Sequence, residues 1–376
     1  MRVVHLTVVR QLTTGQIKQL QFEYDAAKKL QDAEWTTLAY HNGPLTKPYM
    51  KKIPFVFRSL FMRKLWGWIV ALRLSRSYDF VMMRHMPFDP FSLIFAALIG
   101  NRLSVHHAKE LDELRLIRSG WKGGVAALLE QKAGGVAIKH TKMIFGVTQE
   151  IAEYERDRCA LGKTIGVYSN GIDVDEVSML ADKRKIDELN IAFICGTFSK
   201  WHGLDRLIDA VAMHHPLPDD PPLSIHLIGQ LSQKQIEQLL ALENYKIFFK
   251  HYGLLDTNLY RPILEKCDFG LASLALDRKG LSEGSTLKVR EMLAMGLPVC
   301  SGHNDVALDV SQAFIRVTVQ PTIRELIEFG ALCKTVNRFE VRERSKEVID
   351  KKNSMISVVK CLFAARRQSA DGSSMN

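Results

Sequence analysis

The segment from Asn190 to Met213, NIAFICGTFSKWHGLDRLIDAVAM, carries the clearest signal of the fold. It begins with a short apolar run, Asn190–Cys195, passes through a turn that contains glycine, and continues into Leu204–Met213, where apolar residues recur at helical spacing. A buried strand that leads through a turn directly into a helix is the repeating unit of a parallel sheet covered on both faces. The segment therefore predicts an α/β fold.

The same alternation extends in both directions along the chain. Further strands are predicted at Val3–Val9, Trp35–Tyr40, Asp79–Met83, Arg102–His106, Met143–Val147, Leu223–Ile228, Lys246–Lys250, Phe269–Ser273, Leu297–Ser301 and Phe314–Val319. Further helices are predicted at Gln16–Leu30, Phe91–Ile99, Gln149–Arg158, Gln233–Leu242, Thr286–Met295 and Arg342–Arg367. The pattern indicates doubly wound, Rossmann-like sheets.

A polar, charged stretch that follows Ser169–Asp173 and runs to Glu188 is predicted to be a linker. We expect an N-terminal domain over residues 1–175, completed by a C-terminal helix at about 355–376, and a second domain over residues 176–354. Two open α/β domains in tandem are expected to face one interdomain cleft with their switch points. This arrangement suits an enzyme that brings two substrates together.

Composition excludes several classes of protein. The chain has 376 residues, of which 47% are hydrophobic and 24% charged, as in globular proteins. Its six cysteines form no CxxC pair, which argues against a zinc site or a disulfide framework, and we predict no metal. Neither a secretory signal nor a membrane-spanning segment is predicted. We expect a cytoplasmic protein that is at most peripheral on the inner face of the cytoplasmic membrane.

The formal charge of +10 is concentrated in one segment. Residues 47–76 contain eight basic residues and no acidic one, interleaved with large apolar residues such as Phe55, Phe61 and Trp66. This mixture is typical of a helix at an anionic membrane surface. The same mixture of residues is typical of a core helix whose basic side chains reach water at its ends. A nucleic-acid partner is disfavoured because no binding motif accompanies the charge.

The segment from Leu281 to Val299, LSEGSTLKVREMLAMGLPV, is the most informative about chemistry. Glu283 lies in a predicted loop that leads into a helix carrying Lys288 and Glu291. A helix N-terminus attracts phosphate, and a carboxylate one turn later can accept hydrogen bonds from the hydroxyls of a ribose. Solvated carboxylates at a helix end are the alternative interpretation of the two glutamates.

This segment resembles the retaining glycosyltransferases of family 4, which have the GT-B fold. Their paired glutamates, separated by seven residues, run into the pattern E-x-x-A-x-G-x-P-V, which here is formed by Glu291, Ala294, Gly296, Pro298 and Val299. The resemblance continues at Ser169–Asp173, at Gly196–Leu207 and from Tyr252 to Gly270. Two residues depart from the family pattern, since Thr197 stands where an arginine is usual and His202 where a lysine is usual.

The resemblance implies transfer of a sugar from a nucleoside diphosphate, with a UDP-sugar favoured over a GDP-sugar and without a bound metal. Its implied donor-binding residues are Gly15, Gly196, Thr197, Lys200, His202, Tyr252, Gly253, Gly284, Ser285, Thr286, Leu287, Lys288 and Glu291. Because of the two departures, Lys288 and Lys200 are assigned to the diphosphate. Implied catalytic residues are His107 and Glu283, and His106 and Arg84 are assigned to the acceptor.

The expected acceptor is a hydroxyl of a lipid-linked or polysaccharide substrate, as in the synthesis of bacterial envelope glycans such as lipopolysaccharide. A catalytically silent partner subunit that binds a nucleotide sugar is the alternative from another class, and Thr197 is its best support. A sugar-nucleotide epimerase is a third possibility, although no pair of acid and base carboxylates is evident. For His107 the alternative is a strand-end histidine that is satisfied by backbone groups.

Overall fold

The computed structural model describes residues 1–117, 120–159, 161–242 and 248–371. The chain divides into two compact units. The first unit is Met1–Asp173 together with Asp350–Asn376, and the second is Val174–Ile349. Each unit contains its own parallel sheet.

The first unit has a seven-stranded sheet. Its strands are β1 (Arg2–Val8), β2 (Glu34–His41), β3 (Met50–Lys52), β4 (Phe80–Arg84), β5 (Arg102–His106), β6 (Met143–Gly146) and β7 (Ile165–Val167). Its helices are α1 (Thr14–Ala27), α2 (Leu60–Leu74), α3 (Ser92–Phe95), α4 (Glu110–Ile117), α5 (Trp121–Leu129), α6 (Gly135–Lys139), α7 (Gln149–Cys159) and the C-terminal α14 (Lys351–Asp371). The strand order is β3-β2-β1-β4-β5-β6-β7.

The second unit has a six-stranded sheet of order β10-β9-β8-β11-β12-β13. Its strands are β8 (Leu189–Thr197), β9 (Leu223–Gln230), β10 (Phe249–His251), β11 (Phe269–Leu271), β12 (Val299–Ser301) and β13 (Ile315–Val317). Its helices, named from the described residues, are α8 (Leu204–Ala212), α9 (Gln233–Leu240), α10 (Thr257–Leu264), α11 (Leu287–Ala294), α12 (Ile323–Lys334) and α13 (Arg338–Ile349).

Strand order reverses once in each sheet, between β1 and β4 and between β8 and β11. Each sheet is thus doubly wound, as the sequence predicts. The central strands β1 and β8 are buried along nearly their whole length because helices cover both faces. Ligands of such sheets bind outside the carboxyl ends of the strands at the reversal, which directs attention to those two edges.

The apolar core of the first unit includes side chains from its C-terminal helix. Met355, Val358 and Leu362 of α14 are fully buried in one cluster with strand residues such as Val3 and Phe145. The core of the second unit packs α8 and α12 on the sheet through residues such as Leu207 and Phe329. Each sheet therefore has an apolar core of its own.

Some predicted elements differ in extent from the observed ones. Phe91–Ile99 forms only the single turn α3 and a following 3₁₀ turn, and the predicted tail helix is interrupted at Asp350 between α13 and α14. The strand predicted at Lys246–Lys250 lies partly outside the described residues, and β10 occupies its end. The short strands β3 and β7 were not predicted, because three residues carry too little pattern to be recognised.

Candidate functional site

In the second unit, the loops that follow β8 and β11 are joined at the carboxyl edge of the sheet. Gly203, at the start of α8, has a φ of 74°, and a β-carbon there would lie 2.9 Å from that of Leu274. Only glycine combines this backbone conformation with so close an approach. The two loops are therefore in direct contact at this edge of the sheet.

Two arginine–aspartate pairs clamp the same loops together. Arg278 donates to Asp205 and to the carbonyl of Lys200, and Arg206 donates to Asp277 and to the carbonyl of Leu274, at 2.6–2.9 Å. Planar guanidinium groups suit such bidentate contacts. The clamps fix the backbone around Lys200, whose side chain remains exposed.

The loop with Glu283 and Gly284 is packed closely against the segment after β12. The Gly284 N–H donates to the Asn304 carbonyl at 2.7 Å, and a β-carbon on Gly284 would lie 2.3 Å from the His303 ring. The ring lies beside the Ser273 carbonyl, with Nδ1 3.0 Å from it. This packing determines where the chain enters α11.

The first turn of α11 provides the features of an anion site. Thr286 is the N-cap residue, yet its side chain makes no capping bond, and among the described residues its buried Oγ1 has no hydrogen-bond partner. Ser285 lies immediately before it, and the helix begins at Leu287. Unsatisfied N–H groups and the helix dipole favour a phosphate at this end.

Lys288 and Glu291 form an ion pair on the first turns of α11, with Nζ 2.8 Å from Oε2. Burial lowers the pKa of Lys288, but the interactions with Glu291 and Tyr260 have the larger, opposite effect. The pKa of Lys288 is therefore raised, and the lysine is charged at neutral pH. The charge of Lys288 also opposes the effect of burial on the pKa of Cys195, at the end of β8. The helix thus places this cation near the carboxyl end of the central strand.

Gly196 and Thr197 end β8 and are exposed, and a β-carbon on Gly196 would meet no atom within 4 Å. His202 lies in the 3₁₀ turn that follows, and its Nδ1 accepts the Ser199 N–H at 2.8 Å. Burial lowers the pKa of His202 to about 4. The histidine is therefore neutral at pH 7 and offers a hydrogen-bond donor instead of a cation.

The structure directs the Tyr252 side chain away from this group. The hydroxyl of Tyr252 lies 2.9 Å from His226 in the middle of β9, and the other ring nitrogen of His226 lies 3.0 Å from Asn190 near the start of β8. The Tyr252 ring also stacks on His226 at a centroid distance of 5.8 Å, while 37% of the residue stays exposed. Gly253, which was predicted together with Tyr252, stays near the carboxyl edge. Its carbonyl accepts a hydrogen bond from the Gly229 N–H at 2.7 Å.

In the first unit, a small polar pocket opens at the reversal between β1 and β4. Its lining includes Thr7, Gln16, Arg84, His107, Asn170 and Lys351. Burial lowers the pKa of His107 well below its usual value, and the charges of Arg84 and Lys351 lower it further. A neutral imidazole thus lies beside two cations.

The guanidinium of Arg84 has no hydrogen-bond acceptor in the part of the chain that the structure describes. Burial lowers its pKa, while the nearby carboxyl groups of Glu110 and Glu113 raise it. Arg84 is therefore available to a ligand in the pocket.

His106 is separated from His107 although the two are adjacent in sequence. Its ring is fully buried, stacks on His85 at a centroid distance of 4.6 Å and lies 3.9 Å from Glu110 and from Glu155. His106 has no surface to offer an acceptor, because alternate residues at a strand end point to opposite faces. Of these two adjacent histidines, His107 is the one that lines the pocket.

Gly15 is not part of a glycine loop. It lies in the first turn of α1, behind a capping box formed by Thr13 and Gln16, and a β-carbon there would meet no atom within 4 Å. Nothing in the local geometry requires glycine at this position.

The basic segment 47–76 does not form one continuous surface. Lys64 is buried, and its ammonium donates to the carbonyls of Pro87 and Phe88. Helix α2 carries Arg73 to the end opposite its exposed first turn. The segment thus combines a core helix with an exposed start.

Two kinds of feature are absent from the described ranges. No group of three or more His, Cys, Asp or Glu side chains there is placed to hold a metal ion. No helix in those ranges has both the length and the apolar character needed to span a bilayer.

Several residues of the site could not be identified from the sequence. The Arg206–Asp277 and Arg278–Asp205 clamps join residues more than seventy positions apart, and Lys351 enters the first pocket from the C-terminal helix. The buried pair Arg290–Asp305, with two contacts of 2.7 Å, supports the start of α11. Only tertiary structure brings these residues together.

No protein-family model matches the sequence, and a search of curated proteins finds no match. Solved structures do resemble it over nearly the whole chain. HepE of Anabaena, solved in complex with UDP, has a TM-score of 0.63 at 13% identity, covering 97% of this chain and 100% of HepE. The lipopolysaccharide outer core galactosyltransferase WaaB has a TM-score of 0.62 at 11% identity, with coverage of 97% and 99%.

Sucrose-phosphate synthase from Thermosynechococcus elongatus is similar to the same degree, with a TM-score of 0.61, 13% identity, and coverage of 97% of this chain and 99% of that protein. Likeness at such low identity concerns the fold alone. Together with the two doubly wound sheets, it confirms the predicted architecture. The chain has the GT-B fold.

Proposed function

We propose that this chain is a retaining, metal-independent glycosyltransferase that moves a sugar from a nucleoside diphosphate, with UDP favoured, to an acceptor hydroxyl. The observation that carries the proposal is the start of α11, where an uncapped helix N-terminus and the Lys288–Glu291 pair lie near the end of β8. Dipole and lysine suit a diphosphate, and the carboxylate suits ribose hydroxyls.

The second unit would hold the donor. Lys288 and Lys200 would bind the diphosphate, with Thr197 and neutral His202 as hydrogen-bond donors, and Glu283 would meet the sugar. Gly196, Gly253 and the Gly284–Leu287 turn would contribute backbone groups, while the Tyr252 side chain would not take part. The leaving phosphate would act as base toward the acceptor, so that positioning and electrostatics supply the catalysis.

The first unit would hold the acceptor. His107, neutral because of burial and nearby cations, would orient the acceptor hydroxyl or stabilise the developing positive charge at the anomeric carbon. Arg84 would bind the acceptor. We propose a lipid-linked or polysaccharide acceptor in envelope glycan synthesis, and a cytoplasmic protein that is peripheral to the membrane through segment 47–76.

Titration of UDP, GDP and ADP into the wild type and Glu291→Ala tests the donor site. We expect selective binding of UDP that weakens by about tenfold or more in the variant, because a hydrogen bond to a charged group is worth about 1.5–3 kcal/mol. Glu237→Ala, which removes an exposed glutamate on α9, is the matched control. Absence of binding to all three nucleotides would reject the proposal.

A catalytically silent subunit that binds a nucleotide sugar is the second candidate. It is supported by Thr197, which leaves no guanidinium directly after Gly196, and by the engagement of Arg206 and Arg278 in ion pairs. UDP binding without turnover of UDP-glucose or UDP-galactose, with or without acceptor, would favour it.

A further inference from the structure

Helix α5 presents an apolar stripe that the described residues leave exposed. Trp121, Val125 and Leu128 are 76%, 56% and 58% exposed and recur at positions i, i+4 and i+7, so they lie on one face. Ala126 and Ala127, on the other face, are buried. The helix thus presents its largest apolar side chains to the surroundings.

A second exposed apolar group precedes α2. Phe55 is 80% and Val56 70% exposed in a 3₁₀ turn, and Phe61 in the first turn of α2 is 44% exposed. Arg58 lies over the Phe55 ring at 5.3 Å, and Lys51 and Lys52 are exposed nearby in the chain. Aromatic residues beside basic ones are typical of the water–membrane interface.

The two groups are connected through Phe88, in the loop after β4. The Lys64 ammonium lies 5.7 Å from the Phe61 ring and 3.5 Å from the Phe88 ring. Phe88 in turn packs with Leu114 and with Ala126 of α5. Both apolar groups therefore adjoin the loop that follows β4, the strand that ends at Arg84 of the pocket.

The charge of this region selects its partner. The sequence between Glu113 and Glu130 contains Arg115, Arg118 and Lys122 and no acidic residue, as is also true of residues 47–76. A second copy of the chain would bring these cations against like charge, whereas an anionic bilayer neutralises them and also accommodates the exposed aromatic side chains.

We infer that α5 and the 55–61 segment form one two-part membrane surface, on which both insert among the headgroups of an anionic bilayer. The pocket with His107 and Arg84 would then open close to the membrane plane, and the acceptor would be presented from the bilayer. The inference extends the proposed function by naming the source of the acceptor, but membrane binding is measurable whether or not sugar is transferred.

Co-sedimentation of the full chain with vesicles tests the surface. The vesicles contain phosphatidylcholine alone or two parts phosphatidylcholine to one part phosphatidylglycerol. The combined variants Trp121→Ser/Val125→Ser/Leu128→Ser and Phe55→Ser/Phe61→Ser are each expected to reduce binding to the anionic vesicles by about tenfold or more, since each removes inserted apolar area. Val310→Ser/Phe339→Ser, which removes exposed apolar residues of the second unit, is the matched control and should bind like the wild type.

Arg115→Glu/Lys122→Glu leaves the apolar packing intact and is expected to reduce binding to the anionic vesicles only. Circular dichroism of every variant reports whether the chain is folded, and UDP titration keeps the two proposals separate. Loss of vesicle binding with unchanged UDP affinity supports the membrane surface, and vesicle binding without UDP affinity would overturn only the proposed function.

Three results would overturn the inference. They are equal binding of the wild type to both kinds of vesicle, full binding by the α5 variant, and no vesicle binding at all. Sedimentation velocity without lipid tests whether a second copy of the chain covers the stripe instead. A wild-type dimer that becomes monomeric in the α5 variant would identify the stripe as a contact between copies.

Discussion

The carboxyl edges of the two sheets hold charge in different ways. In the first unit, a buried cluster in which Arg158 contacts both Glu130 and Glu155 is paired, and Arg84 lies beside His107 in the pocket. In the second unit, the cations at the edge are half-buried or exposed, and ion pairs lie beneath them and fix the loops. The second edge suits a charged diphosphate, whereas the first presents a neutral imidazole, His107, beside the cations Arg84 and Lys351.

Sheet topology does not distinguish the two proposed roles, because both sheets reverse strand order in the same way. The difference lies in the helix that follows the strand at the edge. Helix α11 begins with an uncapped turn, whereas α1 begins with a complete capping box that satisfies its first N–H groups. A satisfied helix start has little to offer an anion.

The largest expected effect comes from His107→Ala. If the first edge acts on the acceptor and the second binds the donor, the variant should lose about 10²–10³-fold in kcat, with unchanged UDP affinity, because the imidazole acts only during transfer. Steady-state kinetics and UDP titration measure the two quantities. His140→Ala, which removes an exposed histidine of the same unit, should change neither kcat nor UDP affinity. Weaker UDP binding by His107→Ala would break the comparison.

Gly284→Ala tests whether close packing determines the start of α11. The new β-carbon would lie 2.3 Å from the His303 ring, so we expect a loss of about 1–3 kcal/mol in the free energy of unfolding of the second unit. Urea denaturation measures this loss.

Gly196→Ala is the paired variant, since its β-carbon meets nothing within 4 Å. Stability should be unchanged, while UDP should bind more weakly if the diphosphate approaches the backbone there. Equal stability losses in both glycine variants would show that loop packing does not distinguish the two positions.

Lys288→Ala and Lys200→Ala sharpen the assignment of the diphosphate. Lys288 is partly buried beside Glu291, whereas Lys200 is exposed and more strongly screened by solvent. We expect UDP affinity to fall by about tenfold for Lys288→Ala and by about threefold for Lys200→Ala. Uridine affinity should change in neither variant. An equal effect on uridine and UDP would place neither lysine at the phosphates.

The smallest effect concerns Glu110 in the buried cluster. Burial raises its pKa to about 8, and the carboxylates of Glu155 and Glu130 add to this. Between the unfolded pKa of about 4.3 and pH 8, the folded state retains a proton that the unfolded chain releases, so stability falls as pH rises. Glu110→Gln removes this titration.

The variant should therefore gain on the order of 1 kcal/mol relative to the wild type between pH 6 and pH 8. Urea denaturation at the two pH values, followed by tryptophan fluorescence, measures the gain. A difference that is independent of pH would contradict a raised pKa at Glu110.

The sequence by itself determined the doubly wound fold, because apolar runs and helical periodicity are local signals that survive without knowledge of neighbours. The pattern around Glu283, Lys288 and Glu291 was likewise readable, since all three belong to one loop and the helix that follows it. Boundaries were less accurate where an element is short, as at β3 and α3.

Which side chains line the two candidate sites depends on tertiary contacts. The tertiary structure separated His107 from buried His106, directed Tyr252 toward His226, turned Lys64 into the interior and brought Lys351 into the first pocket. These outcomes depend on contacts between residues far apart in the chain, which spacing does not encode. The stripe of α5 is a further example. Residue spacing places its side chains on one face of a helix, but only the packed fold shows that this face remains exposed.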